Sequence, residues 1–221
     1  MHGGWHGCWC WRPLQAELAA RGHSTVAPDL PITDPAAGAV AYADAVLAAL
    51  PAEPVVLVAH SLAGLVAPLV AAAAPVRRVV YLAAMLPEPG RSVDDRARAG
   101  QRMTRRGIGR AQAVNDDGST SFRPDGAVEL LYPDSPPERA AWAVARLRRQ
   151  HWRITAEPSP VPAQVAAPTT YVLLFRADNP GVWMDHCHNL DHARAGFVLH
   201  LTYAGVGTRF QVGPGTGNDP E

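Results

Sequence analysis

The stretch that decides the fold is Val55-Val56-Leu57-Val58-Ala59-His60-Ser61-Leu62-Ala63. It begins with a short apolar run rich in β-branched residues, which is typical of a strand buried on both faces of a parallel sheet. Leu62 to Ala74 then has helical character despite Pro68, and Arg78 to Ala83 is the next strand-like run. Strand, helix and strand in this order predict a right-handed crossover, the building unit of a doubly wound α/β fold.

The sequence before this unit continues the alternation of helix and strand. A helix is predicted from Arg12, because Pro13 lies in its first turn and Gly22 marks its end. Ser24 to Ala27 has the pattern of a short strand, and Ala36 to Leu50 has the apolar spacing of a helix. This part therefore contributes a further α/β unit to the same sheet.

The sequence changes character after the second strand. Arginine-rich and acidic helical stretches follow, with a loop at residues 115–118 and a helix from Pro137 to Gln150. We expect residues 88–157 to form a helical cap over the carboxyl edge of the sheet. A proline-rich connector then leads to one more strand, predicted at Thr169 to Leu174.

Composition limits the classes of function. The chain has 221 residues and a formal net charge of zero, so charge favours neither nucleic acid nor a membrane surface as a partner. No apolar run approaches the roughly 18 residues that a spanning helix needs, and no export signal is visible, which predicts a cytoplasmic protein. Three cysteines provide no even-numbered disulfide framework. Oligomeric state stays open.

The segment around Ser61 has the pattern of a nucleophile elbow. Such a turn needs small residues two positions before and two positions after the nucleophile, because neighbouring backbones approach closely. Ala59 and Ala63 meet this demand in place of the usual glycines. The predicted strand before Ser61 and the predicted helix after it supply the required context, and the helix N-terminus favours developing negative charge.

A second element is the glycine-rich loop His2-Gly3-Gly4-Trp5-His6-Gly7-Cys8-Trp9-Cys10-Trp11, whose backbone amides are suited to an oxyanion. Residues 1 to about 172 resemble the α/β-hydrolase family. The resemblance lies in this loop and in three further stretches, Val26 to Pro31, His60-Ser61 and Val80 to Pro87. The resemblance is to small esterases related to plant hydroxynitrile lyases and methyl-ester hydrolases. It implies Ser61 as nucleophile, the amides of Gly4 and Leu62 as oxyanion hole, a small ester as substrate, and no cofactor.

The departures from this family concern the catalytic partners of Ser61. Asp178 lies about one residue from the expected place of the triad acid, and no histidine occupies a recognisable counterpart of the base. Family members also begin with an apolar strand that would end at Met1. We therefore expect an α/β-hydrolase domain over 1–172 that is truncated at both ends and impaired in activity. His60 is not favoured as a base, and His6 is expected to be a hydrogen-bonded structural residue.

The C-terminal region carries a different motif, His186-Cys187-His188 followed by His192. Neighbouring strand residues point to opposite sides, and thiolate with imidazole is the ligand set of blue copper. Residues 175–221 resemble the C-terminal end of multicopper oxidases through this motif, Asn-Pro-Gly-x-Trp at 179–183, and the strand at 196–201. The resemblance implies type 1 copper at Cys187 and His192, and the type 3 pair at His186 and His188.

Three hypotheses follow from these two pieces. The leading one is a serine esterase with an incomplete α/β-hydrolase sheet, a helical cap and a short cupredoxin-derived tail. The second is a copper-binding oxidoreductase fragment, for which the barrel and the upstream histidine motifs are missing, so oxidase activity is not expected. The third is an inactive hybrid product that joins the two pieces near residues 172–175.

Overall fold

The structure is a computed structural model that describes residues 1–101 and 108–162, together with the secondary structure of two strands further along. The chain divides into two compact units. The first comprises Met1–Ala99 with Met103–Leu173, and the second comprises Gly100–Arg102 with Leu174–Glu221.

The centre of the first unit is a parallel pair of strands, β1 (Val55–His60) and β2 (Val76–Leu82). Their register runs to the pair His60 and Leu82 at the carboxyl ends. A 3₁₀ turn (Ser61–Leu65) and helix α3 (Ala67–Ala73) connect them. This is the predicted strand, helix and strand arrangement, although a 3₁₀ turn replaces the first part of the predicted helix and Pro68 lies in the first turn of α3.

Two helices precede β1, namely α1 (Arg12–Ala19) and α2 (Ala39–Leu47). Both were predicted, with slightly longer bounds for α2. Helix α2 packs against α3, and its side chains Tyr42 and Val46 are almost completely buried. The strand predicted at Ser24 to Ala27 is wrong, since these residues form no strand and are mostly exposed. No described strand forms backbone hydrogen bonds with these residues, so their β-branched side chains alone do not produce a strand.

The first residue of the chain lies beside β1. Its amino group donates a hydrogen bond to the Val58 carbonyl at 2.7 Å, and its carbonyl accepts one from the His60 amide at 3.2 Å. The backbone of Met1 thus continues the hydrogen-bonding pattern on the edge of β1. The glycine-rich loop leaves from this edge, and its last four residues form a 3₁₀ helix (Cys8–Trp11).

The predicted cap region is only partly helical. It contains α4 (Val93–Arg98), a 3₁₀ turn (Ile108–Ala111), α5 (Pro124–Leu131), α6 (Pro137–Val144) and α7 (Arg153–Ala156). Between them lies an antiparallel hairpin of β3 (Gln112–Val114) and β4 (Thr120–Phe122). The predicted helical cap did not include this hairpin, and the loop predicted at residues 115–118 is its turn. Helix α6 ends at Val144, earlier than the predicted Gln150.

The second unit contains an antiparallel pair, β5 (Val182–His186) and β6 (Val198–Thr202). In this register Val182 pairs with Thr202, and His186 pairs with Val198. Strand β6 agrees with the strand predicted there from the sequence. No helix of the described part combines the length and the apolarity that crossing a membrane requires.

Candidate active site

Ser61 lies at the sharp turn between β1 and the 3₁₀ turn. Its backbone φ is 53°, in the left-handed region that residues with a side chain adopt only under local constraint. Ala59 and Ala63, two positions to either side, are completely buried. The Ser61 carbonyl accepts a hydrogen bond from the Met85 amide at 2.9 Å, which ties the turn to the segment after β2. The local geometry is that of a strand-turn-helix elbow.

Two glycines allow backbone to pass close to this turn. A Cβ on Gly3 would lie 2.9 Å from the Ser61 Cβ and 3.0 Å from His60 Nδ1, so the glycine-rich loop runs directly beside Ser61. A Cβ on Gly64 would collide with the carbonyl oxygen of Met85. Small residues are therefore needed at four positions around the turn, two of which are the alanines singled out from the sequence.

The two residues predicted to form an oxyanion hole lie near each other. A Cβ on Gly4 would lie 4.0 Å from Leu62 Cδ2, which places the loop and the start of the 3₁₀ turn in contact. No acceptor among the described residues takes a hydrogen bond from the backbone amide of either residue. Backbone amides next to a serine that have no acceptor within the described residues are candidates for stabilising a tetrahedral oxyanion.

The imidazole of His6 has two hydrogen-bond partners. Its Nδ1 lies 2.7 Å from the Gly4 carbonyl, which can only accept, so Nδ1 carries the proton. Its Nε2 then accepts from the Tyr132 hydroxyl at 2.8 Å. Burial lowers the pKa of His6, which agrees with the neutral form. His6 is hydrogen-bonded, as expected, and its structural role stays a prediction.

His60, which precedes Ser61, is also neutral at physiological pH. Burial lowers its pKa to about 4, and the neighbouring His6 and the N-terminal amine add to this effect. Its ring lies edge-on to His6 and to Trp11, with 6.4 Å between ring centroids in each case. No hydrogen bond joins it to Ser61.

The hydroxyl of Ser61 makes no hydrogen bond to any group within residues 1–101 and 108–162. A serine nucleophile requires an imidazole or another base within hydrogen-bond distance. Within the described residues, no base lies within hydrogen-bond distance of the Ser61 hydroxyl. Asp178, the predicted acid, lies outside the described residues.

The copper-motif residues cannot be placed as a site. Cys187, His188 and His192 lie outside the described residues, and only the strand that ends at His186 is described. Within the described part, no group of three or more His, Cys, Asp or Glu side chains is arranged to hold a metal ion.

Three polar residues near the loop were missed by the sequence analysis. Gln150 is completely buried, and its side-chain oxygen accepts from the Trp5 amide at 3.3 Å. Thr120 accepts hydrogen bonds from the indoles of Trp5 and Trp152, and Tyr132 holds His6. No local motif marks these residues, because their partners are more than 30 positions away in sequence or lie on the loop itself.

A comparison with models of known families matches residues 1–217 to the one described as "Alpha/beta hydrolase family". The chain belongs to the alpha/beta hydrolase family. The matched range includes the elbow, the glycine-rich loop and the cap. It also extends across the C-terminal region, and no comparison shows a multicopper oxidase there.

Among curated proteins, this chain is similar to several esterases. It is 38% identical over 104 residues to "Probable esterase PIR7A" of Oryza sativa, covering 41% of this chain and 40% of the relative. It is 35% identical to "Methylesterase 7" of Arabidopsis thaliana, covering 40% and 39%. It is 36% identical to "Carbendazim hydrolyzing esterase" of Nocardioides sp., covering 42% and 43%. The chain spans about two fifths of the length of these relatives.

Solved structures of low sequence identity share the hydrolase fold. A pyrethroid hydrolase from Sphingobium faniae superposes with a TM-score of 0.59 at 24% identity, covering 74% of this chain and 71% of that chain. The methylesterase MES16 from Arabidopsis gives 0.55 at 21% identity, covering 73% and 69%. These likenesses agree with the α/β-hydrolase fold predicted from the sequence.

Proposed function

We propose that this hydrolase is a serine-dependent esterase for small carboxylic esters, with Ser61 as nucleophile and the amides of Gly4 and Leu62 as oxyanion hole. The observation that carries the proposal is the left-handed Ser61 at the strand-to-helix turn, where the nearby amides of Gly4 and Leu62 have no acceptor within the described residues. The esterase names of the curated relatives support the substrate class. No cofactor enters the proposed reaction.

In the proposed reaction, the Ser61 oxygen attacks the ester carbonyl and the alcohol leaves. The two amides stabilise the tetrahedral oxyanion, and water then releases the acid from the acyl-serine. The serine proton needs a base, and the loss of a triad member lowers turnover by roughly 10⁴ to 10⁶. We propose that turnover is impaired for this reason, with Asp178 as the remaining acid.

Labelling with a fluorophosphonate probe tests the nucleophile. We expect covalent modification of Ser61 that is lost in Ser61→Ala and retained in Ser92→Ala, a buried serine that caps α4. Absence of labelling in the wild-type protein would remove the catalytic role of Ser61.

Chemical rescue tests the missing base. If no imidazole of the chain serves Ser61, added imidazole accelerates hydrolysis of p-nitrophenyl acetate by the wild type more than by Ser61→Ala. If acceleration is equal in both, and substitution of one of the histidines at 186, 188 or 192 abolishes hydrolysis, the proposal of an impaired triad is wrong and that histidine is the base.

Copper binding at Cys187 and His192, with His186 and His188 as further ligands, is a second candidate, supported by the thiolate and imidazole spacing. Addition of copper to the reduced protein is expected to give a thiolate-to-copper absorption band that Cys187→Ser removes. Without this band, no blue-copper site exists. The third candidate, an inactive hybrid, predicts non-cooperative thermal unfolding, and a cooperative transition contradicts it.

A further inference from the structure

Trp5, next to the proposed oxyanion residue Gly4, adopts a left-handed conformation with φ of 57°. Three hydrogen bonds hold it there. Its amide donates to Gln150 Oε1 at 3.3 Å, its carbonyl accepts from the Arg148 amide at 2.7 Å, and its indole donates to Thr120 Oγ1 at 3.0 Å. All three partners belong to the region after β2, so this region fixes a conformation that the loop would not adopt alone.

Thr120 is the centre of this arrangement. Its hydroxyl oxygen also accepts from the Trp152 indole at 2.9 Å, so one buried oxygen serves two indole donors. Its backbone exchanges two hydrogen bonds with Gln150, both of 2.9 Å. The rings of Phe122 and Trp152 pack edge-on against Trp5, each with 4.7 Å between centroids. The Trp5 side chain therefore has little freedom to rotate.

Gln150 connects this arrangement to Gly4. The side chain is completely buried, and its amide nitrogen donates to the Tyr42 hydroxyl at 3.1 Å, which fixes the orientation of Oε1. A Cβ on Gly4 would lie 3.6 Å from Gln150 Oε1 and 3.6 Å from the Trp152 ring, with Leu62 on another side. Gly4 thus lies next to Gln150, Trp152 and Leu62, at ordinary van der Waals distance.

We propose that Gln150 and Thr120 are positioning residues that hold Trp5, and through it the Gly4 amide, in the geometry that binds the oxyanion. This inference rests on the proposed function of Ser61. Neither residue touches the reacting atoms in this proposal. Their effect passes through the orientation of one peptide group, whose displacement by about 1 Å lowers turnover by roughly 100-fold.

The test uses three variants of the full chain. Thr120→Val keeps the shape but removes the acceptor for two indoles, and Gln150→Met removes the acceptor for the Trp5 amide. Thr120→Ser restores the hydroxyl and is the rescue variant. Ser92→Ala is the matched control, since it removes a buried hydroxyl that does not contact the loop.

For p-nitrophenyl acetate, we expect Thr120→Val and Gln150→Met to lower kcat by about 10- to 100-fold while KM changes by less than about two-fold. Thr120→Ser and Ser92→Ala stay near wild type. In parallel, deuterium uptake by a peptide covering residues 2–7 rises in the first two variants and returns towards wild type in Thr120→Ser. If the two residues had only a structural role, their substitution would lower the melting temperature without lowering kcat at nearly constant KM.

Unchanged kcat in both variants, or unchanged deuterium uptake at residues 2–7, overturns the inference. The two proposals fail separately. If the wild type shows neither Ser61 labelling nor Ser61-dependent hydrolysis, the esterase function is wrong. Deuterium uptake then decides the positioning role by itself, since a rise in both variants supports it and no rise refutes it.

Discussion

At the scale of single residues, the site depends on backbone conformations that cost free energy. Left-handed φ values at Ser61 and Trp5 cost on the order of 1–3 kcal/mol each, and they persist only where the surroundings fix them. For Ser61 the surroundings are small residues, namely Ala59, Ala63 and Gly64. For Trp5 they are hydrogen bonds from distant side chains.

The substitution Gly64→Ala tests how tightly the turn is packed. The new methyl group would collide with the Met85 carbonyl, and the amide of Met85 donates to the Ser61 carbonyl. We therefore expect a loss of about 1–3 kcal/mol in the free energy of unfolding. Urea denaturation measures it. Gly109→Ala is the control, since a Cβ there meets nothing within 4 Å and should leave stability nearly unchanged. Equal stability of both variants would contradict the close approach.

The small residues that constrain Ser61 can be predicted from the sequence, whereas the distant hydrogen bonds that constrain Trp5 cannot. Small residues around Ser61 mark a close approach because they lie within two or three positions of it. The contact between Trp5 and Gln150 spans 145 positions, and no local sequence pattern around a glutamine predicts such a contact. A buried hydrogen-bond partner at such a distance in sequence can be identified only when the fold is known.

At the scale of elements, the central unit was predictable and the region after it was less so. Strands β1 and β2 were predicted within about two residues from their runs of apolar and β-branched residues. The expected burial on both faces of the sheet is wrong, since Val56 of β1 is 57% exposed and no residue of β2 is fully buried. Strands β3 and β4 have three residues each, too short for a visible alternation, so their turn was recognised only as a loop. The false strand at Ser24 to Ala27 shows that β-branched residues alone do not create a partner strand.

Helix α2 begins with an unusual cap, which makes a prediction at this scale. Its first residue, Ala39, donates its amide to Glu157 Oε1 at 2.6 Å, while Gly38 at the N-cap has no side chain to do so. Glu157→Ala is expected to lower the free energy of unfolding by about 1 kcal/mol, because it removes an acceptor and a favourable charge at the helix N-terminus.

Glu157→Gln retains the acceptor and removes only the charge, so its effect should be about half as large or less. Thermal unfolding followed by circular dichroism measures both. If Glu157→Ala were no less stable than Glu157→Gln, the hydrogen bond to Ala39 would not contribute.

At the scale of the whole molecule, buried neutral histidines link folding to pH. Burial lowers the pKa of His2 and of His60 to about 4, from 6.5 in the unfolded chain. Above pH 6.5 neither state binds these protons. As pH falls from 6.5 towards 4, the unfolded chain takes up protons that the folded protein does not, so stability decreases.

We expect the free energy of unfolding to fall by up to about 1.4 kcal/mol per pH unit for each such histidine within this window. His60→Gln should remove the contribution of His60 and give a shallower slope than the wild type. Urea denaturation between pH 4.5 and pH 7, with steps of about half a unit, compares the two slopes. Identical slopes would show that His60 does not titrate between the folded and unfolded states.

The contact between Trp5 and Gln150 also affects the order in which the parts of the proposed active site form during synthesis. The elbow and the glycine-rich loop leave the ribosome long before residue 150 does, because translation proceeds at roughly 5–20 residues per second. Contacts of such large sequence separation form late, since the loop that they close costs entropy first. A nascent chain can therefore carry a complete Ser61 turn while its oxyanion loop is still unordered. Reactivity is therefore gained only after residue 150 has been made.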